Sequence, residues 1–459
     1  MDKIKLKKKS SAFTDAYTSI NAIKNGNLIT KLSILVMGLG NISKKQIIKG
    51  FLFLLVEIIY ITYMIKKGFY SLIMLFTLGD KVQEEVWNEA KGIYEYTAGD
   101  NSLLLLLYGI VTLFITALFI LVWRTSIKSA YKAECLSKSG GHLNSINEDI
   151  KSLFNQNLHK LLLTFPILGL VAFTILPIVY MICMAFTTYS TIDDQLVLFN
   201  WSGLTNFIKV LNIKDSVGQT FWSVLQWTLT WAVFATGLNY ILGMLLAIMI
   251  NRKTTRAKSF WRFCFVLTIA IPQFVSLLIM KTILQPKGMI NILLENAGLI
   301  NNALPFFTNA TWARVTVIVV NLWVGIPFTL MQVTGILQNI PEELYDAAKV
   351  DGANGVTVFF KITLPYMLFV TTPYLITTFT QNINNFNVIY LLSTGAPVPV
   401  GSSAGKTDLL VTWLYKLTID QRYYNLGAVI GIMTFVVLGI FSLITYRNTG
   451  SYKNEEGFQ

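Results

Sequence analysis

The stretch "EELYDAAKVDGANGVTVFFKITLP", residues 342–365, lies between two long apolar runs. It is alanine-rich and helical in pattern, yet too polar to cross a bilayer. Pro341 suits the first turn of a helix, and Glu342, Glu343 and Asp346 place negative charge near its positive N-terminal end. Leu344, Ala347, Ala348 and Ala353 offer small or apolar contacts, so another surface can approach closely, as a short helix seated in a groove requires. Gly352 supplies a positive-φ turn that ends the helix. A second turn, "VTVFFKI", leads to Leu364-Pro365, with the proline in the first turn of the next span. These residues describe a rigid helix-turn-helix between two membrane spans. On physical grounds alone it is a docking helix, or any interfacial helix joining two spans.

The rest of the chain supplies the membrane. Of 459 residues, 54% are hydrophobic and 13% charged, against about 25% charged in soluble domains. Apolar runs predict an all-α integral membrane protein with eight transmembrane helices, at about 47–65, 102–123, 161–185, 222–250, 262–284, 312–338, 363–390 and 426–446. The run 69–79 is too short to span and reads as an interfacial helix. With the N-terminus inside, 24 Lys and Arg fall on the inner side and 10 on the outer, which places both termini in the cytosol. These spans divide the chain into a basic cytosolic arm at 1–46, lying on the membrane surface, then a transmembrane hairpin and cytosolic loop at 47–160. A transmembrane core occupies 161–447, with the cytosolic helix at 341–361, and a cytosolic tail occupies 448–459. A net charge of +13 could point to nucleic acid, but here the position of the charges outweighs their total.

Few residues carry chemistry. The three cysteines, 135, 183 and 264, have no metal or redox spacing, and His142 and His159 are too isolated to ligate a metal. "GSSAGKTD" at 401–408 resembles a phosphate-binding loop, but the spacing would need Gly where Val400 stands, and the loop lies outside. Glu57 is the one acid deep in an apolar run and reads as a helix-packing or partner contact. Lys281 and Arg314 sit near the outer boundary and can snorkel. Trp222, Trp227 and Trp231 read as interface and packing residues. In "TTFTQNINNFNVIY", Thr378, Asn382 and Asn385 share one helical face, Gln381 flanks it, and Asn384 projects elsewhere into packing. Uncharged amides are costly against lipid, so they face protein or a wet path. They either glue helices together or bind a polar solute.

The resemblance becomes specific at Asp346-Ala347-Ala348-x3-Gly352, then nine residues and Ile362-x-Leu364-Pro365. This resembles the EAA motif of ABC importer permeases, whose coupling helix fits a cleft on the ATPase subunit. "NLWVGIPFTLMQVTGILQNIPEELYDAAKVDGA", "QNINNFNVIYLLSTGAP" and "KTDLLVTWLYKLTIDQRYYNLGAVIGI" are similar to the carbohydrate branch, most of all to MalF-like maltose/maltodextrin permeases. The likeness covers residues 160–447. Two departures stand out. Asp346 replaces the motif's usual glutamate, and the external loop between the third and fourth spans has only about 35 residues, too few for the folded domain some relatives carry there.

The resemblance implies a six-helix type I importer core plus the N-terminal hairpin. Glu342, Tyr345, Asp346, Ala347, Ala348 and Gly352 would couple to the ATPase. Asn321, Gly325, Phe328, Thr378, Gln381, Asn382 and Asn385 would bind sugar. Gly325-Ile326-Pro327 is expected to loosen its helix and expose backbone beside a cavity. The implied partners are a second permease subunit, a pair of ATPases and an extracytoplasmic sugar-binding protein in a bacterial cell membrane. ATP and magnesium belong to the ATPases, and this chain is a transport subunit, not an enzyme. The implied cargo is maltose or maltodextrin, or alternatively galacto-oligosaccharides. The rivals from other classes are an ion-coupled sugar carrier, which needs charges in the core spans, and a membrane enzyme, which needs clustered acids or histidines.

Overall fold

The computed structural model describes residues 17–191, 196–252 and 254–448. The first sixteen residues of the predicted arm, and the predicted tail from 449 on, lie outside the described residues. The chain forms two compact units, Met1–Tyr189 with Asp194–Trp201, and Ser190–Asp193 with Ser202–Gln459.

In the first unit, short helices α1 (Ser19–Asn25), α2 (Leu28–Leu32) and α3 (Leu39–Ser43) precede the long helix α4 (Ile47–Thr77). The run 69–79, expected as a separate interfacial helix, instead continues the first span through a π-helical turn at Met64–Gly68. A small hairpin of β1 (Glu85–Asn88) and β2 (Ile93–Tyr96) comes next, with Trp87 packed edge-on against Tyr94. Then come α5 (Ser102–Lys138), α6 (Ile146–Phe154) and α7 (Leu158–Met184).

The described part of the arm folds onto these helices by polar contacts. The Met37 N–H donates to the buried Glu57 carboxylate at 2.7 Å, and Trp123 Nε1 donates to the Ile34 carbonyl at 2.9 Å. Thr30 Oγ1 donates to the buried Glu134 carboxylate at 2.7 Å. Glu57 is therefore an intramolecular packing contact: its carboxylate satisfies a buried backbone donor that would otherwise cost about 1–3 kcal/mol.

The second unit contains α8 (Thr205–Leu211), α9 (Ser216–Asn251), α10 (Lys258–Ala270), α11 (Gln273–Ile283), α12 (Met289–Asn296) and α13 (Ala310–Leu337). It continues with α14 (Glu342–Val350), α15 (Gly355–Ile383), α16 (Phe386–Val388), α17 (Leu410–Tyr415) and α18 (Tyr424–Asn448). Its core is an apolar cluster around Trp231, Val317, Phe379 and Leu392, with a second around Met244, Leu330 and Met367.

Three expectations are corrected here. The fifth span is not one straight helix: α10 and α11 meet at 88°. Ile271 and Pro272 are both extended there, because the residue before proline avoids helical backbone and proline has no N–H to continue the ladder. The seventh span begins earlier, at Gly355, so Pro365 lies inside it, just after a π-helical turn at Phe359–Thr363. The same pairing of a π turn (Val171–Ile175) with Pro177 occurs in α7, where the wider turn relieves the clash of the ring with the preceding carbonyls. That seventh span also stops at Ile383, and Asn384 and Asn385 form a break before α16, which runs into a π turn at Ile389–Ser393. By contrast α13 stays helical through Gly325-Ile326-Pro327. Among the described residues, seven helices are long and apolar enough to span, and eight if the bent pair counts as one span.

Candidate functional site

The broken elements surround one cavity of about 810 Å³ in the second unit. Helix α13 contributes Asn321, Gly325 and Phe328, and α15 with its terminal break contributes Thr378, Gln381, Asn382 and Asn385. All seven residues expected from the sequence to hold sugar line this single space. Asn384 lines it too, against the expectation that it packs elsewhere: the helix has ended, so 100° per residue no longer sets its direction.

The amides divide by what they already hold. Asn382 is buried; its Nδ2 donates to Thr236 Oγ1 at 3.0 Å, and its backbone carbonyl accepts from Trp231 Nε1 at 3.0 Å. Asn385 donates to Asn382 Oδ1 at 3.4 Å and caps α16 by accepting from the Val388 N–H at 3.2 Å. These two amides hold the break in shape. Thr378 and Gln381 make no side-chain hydrogen bond to other described residues and line the cavity. Asn321 is buried with its Nδ2 unpartnered.

Sequence reading missed several polar contributors, among them Asn239 on α9, Gln273 on α11, Gln332 on α13 and Tyr374 on α15. The Ala270-Ile271-Pro272 step was the available signal for Gln273, since a proline break inside an apolar run exposes the residue after it. Asn239 sits alone in an apolar run, and only helix packing assigns it to the cavity. Among the described residues the lining includes no Asp, Glu, Lys, Arg or His. Trp323, Phe328 and Phe386 add aromatic faces, so the space offers uncharged hydrogen-bonding groups beside apolar rings.

A second site is the polar helix α14, at the end of α13. Pro341 precedes it in extended backbone. At its end the Gly352 N–H donates to the Lys349 carbonyl at 3.0 Å and the Ala353 N–H to the Ala348 carbonyl at 2.9 Å. With Gly352 at φ 73°, this is a Schellman cap, the turn expected from the glycine. Tyr345 reaches Thr363 Oγ1 at 3.2 Å and Ala348 is buried, so one face is anchored to the base of α15. The other face leaves Glu342, Asp346, Ala347 and Gly352 exposed, with Leu344 and Val350 among them. Asp346 pairs with Lys349 at 2.7 Å, and that hydrogen bond raises the lysine pKa above its ordinary value.

At the opposite end of α13, Arg314 Nε donates to the Lys406 carbonyl at 3.0 Å, and its guanidinium lies 4.6 Å from the Trp227 ring. It anchors the 401–408 loop instead of only snorkelling. Trp231 is fully buried and Trp227 nearly so, as packing residues.

An all-α membrane fold with a solute-sized uncharged cavity and an exposed polar helix between spans defines a transport subunit. Residues 239–449 match the family model described as "Binding-protein-dependent transport system inner membrane component". The galactooligosaccharides transport system permease protein GanP of Bacillus subtilis is 32% identical over 93% of this chain and 99% of its own. The maltodextrin permease MdxF of the same organism is also 32% identical, over 92% of this chain and 95% of its own. The chain belongs to this family of ABC importer permeases; it is a multi-pass transport subunit and not an enzyme. The solved structure of a bacterial ABC transporter that imports the acidic polysaccharide alginate shares the fold. Its TM-score is 0.52, at 23% identity, covering 65% of this chain and 96% of that one.

Proposed function

We propose that this chain is the permease subunit of an ATP-driven importer for a neutral oligosaccharide, with Asn321, Gly325, Phe328, Thr378, Gln381, Asn382 and Asn385 around the sugar. The observation that carries it is the uncharged cavity, polar on many sides and aromatic on others. Sugar hydroxyls find donors and acceptors there, and ring faces find Trp323 and Phe328. A uronate would find no cation to balance its carboxylate, so acidic chains of the alginate kind are disfavoured. The same lack of charge speaks against an ion-coupled carrier.

The equal identity to a galactooligosaccharide and a maltodextrin permease supports either glucose- or galactose-based cargo. Residues 161–447 form the permease core, joined by a second permease subunit. An extracytoplasmic binding protein delivers the sugar, a reading supported by the words "binding-protein-dependent" in the family's description. Both termini face the cytosol. Glu342, Tyr345, Asp346, Ala347, Ala348 and Gly352 then meet the ATPases, which bind ATP and magnesium; their closure moves α14, and α14 moves α13 and α15 around the cavity. Alternating access needs two discrete states that nucleotide favours differently.

The test is uptake and ATPase activity of the transporter purified by a tag on this chain, with its binding protein, against maltotriose, galactotriose and an alginate trisaccharide. Stimulation by a neutral sugar and not by the uronate is expected. Stimulation by the uronate alone, or uptake that persists without ATP, overturns the reading.

A further inference from the structure

The first unit holds a cavity of its own, of about 620 Å³, which the transport reading does not use. It opens where α3 turns into α4, and the stretch 143–146 that begins α6 forms its other wall. Gln46 ties the two walls together. Its Nε2 donates to the Asn144 carbonyl at 3.0 Å, and its Oε1 accepts from Asn41 Nδ2 at 2.8 Å.

The lining is cationic. Lys44, Lys45 and Lys49 line the space, with Asp149 as the one acid among the described lining residues. Asp149 accepts from Lys49 Nζ at 2.8 Å, so the Lys44 and Lys45 ammonium groups are left without an ion-pair partner among the described residues. Lys45 is also held against its backbone preference, at φ 64°. The Gln46 N–H donates to the Asn41 carbonyl and the Lys45 N–H to the Ile42 carbonyl, both at 3.0 Å, which makes a Schellman turn with lysine where glycine is the usual residue. Glycine would fill that position without strain, so the turn itself does not call for a lysine.

The apolar rim says what the cations meet. Ile47 and Ile48 line the cavity, and Ile48, Phe51, Leu52 and Leu55 continue along one exposed face of α4, a membrane span. A ligand that meets ammonium groups at the helix start and hydrocarbon along its side is an anionic lipid. Basic pockets beside the cytosolic ends of spans attract such headgroups.

We propose that this cavity binds the phosphodiester headgroup of an anionic phospholipid of the inner leaflet. Lys44 and Lys45 hold the phosphate oxygens, and the acyl chains lie along Ile48, Phe51, Leu52 and Leu55. This goes beyond the transport reading and takes from it only that the start of α4 faces the cytosol.

The experiment is native mass spectrometry of the intact transporter, purified in neutral detergent by a tag on this chain. It is titrated with short-chain phosphatidylglycerol, phosphatidylcholine or inorganic phosphate. The wild type is expected to hold phosphatidylglycerol in preference to the other two. Lys44→Ala and Lys45→Gly should each weaken that binding about fivefold, and Asp149→Asn, which frees Lys49, should strengthen it. Lys45→Gly relieves the left-handed backbone, so its unfolding midpoint without lipid holds or rises, and its lost binding does not stem from misfolding. Unchanged binding in both lysine variants, or equal binding of the two lipids, overturns the site. So does a wild-type complex that takes up no phosphatidylglycerol, as when an acidic segment of a partner subunit fills the cavity. Phosphate bound as well as the lipid overturns the lipid as occupant. None of these readouts depends on transport, so their failure leaves the importer reading standing.

Discussion

Gly325 on α13 and Asn239 on α9 meet so closely that a Cβ at 325 would lie 2.6 Å from the Asn239 carbonyl oxygen. One turn along, the roles reverse: Gly243 on α9 would bring a Cβ within 2.7 Å of Thr329 Cβ on α13. Each helix contributes one glycine and one polar side chain, so the two helices pack closely along this seam. Gly325→Ala gains about 0.5–1 kcal/mol of helix propensity, but overpacking costs about 1–3 kcal/mol, so the overlap wins. A lower thermal unfolding midpoint of the detergent-purified protein is expected; an unchanged midpoint would mean the seam can open freely.

Gly352 offers the cleaner backbone test. Nothing lies within 4 Å of where its Cβ would be, so only its φ of 73° opposes substitution. Gly352→Val should cost more than about 1 kcal/mol locally and uncouple sugar-stimulated ATPase activity, while Gly352→Asn, which tolerates this backbone, retains most of it. Equal activity of the two variants would show that the cap does not set the pose of α14.

At Glu57 the shape of the acceptor matters more than its charge. Glu57→Gln keeps an oxygen for the Met37 N–H and should change stability little, whereas Glu57→Leu strands that donor at a cost of about 1–3 kcal/mol. Limited proteolysis reads the difference, with faster cleavage within residues 33–45 expected for leucine alone. Identical cleavage of both variants would remove Glu57 as the anchor.

Asp408 is fully buried and accepts from Lys416 Nζ at 2.6 Å, Thr412 Oγ1 at 2.9 Å and the Gly405 N–H at 2.6 Å. Asp408→Ala leaves a mostly buried ammonium with no counter-charge and only the Thr394 carbonyl to bond, and strips the Gly405 N–H of its acceptor, so a loss of about 3–5 kcal/mol is expected. Thermal unfolding measures it, and Asp408→Ala with Lys416→Met should recover part of the loss. No recovery would place the cost in the Gly405 turn instead.

Much of this was legible in the chain itself. Span number, the polar helix after Pro341 and its glycine cap stem from local chemistry, from apolar length and φ preference; the cost of polar groups in lipid pointed Thr378, Gln381, Asn382 and Asn385 inward, and the full set of seven cavity residues came from the resemblance. The sequence also carried the proline at 272, yet apolar length alone drew a single helix at 262–284 there. What it could not show was continuity and direction. The 69–77 helix joined its predecessor because nothing in Lys66-Lys67-Gly68 breaks a helix inside a folded unit, and Asn384 turned to the cavity once the ladder ended at Ile383. Asn239 is the extreme case. A lone asparagine in an apolar run has no periodic signal, and its meaning arises only where Gly325, far along the chain, leaves room beside it. Local propensity is written in neighbouring residues, whereas which polar atom stays unpaired depends on how two distant helices pack, and that was decided by the tertiary structure.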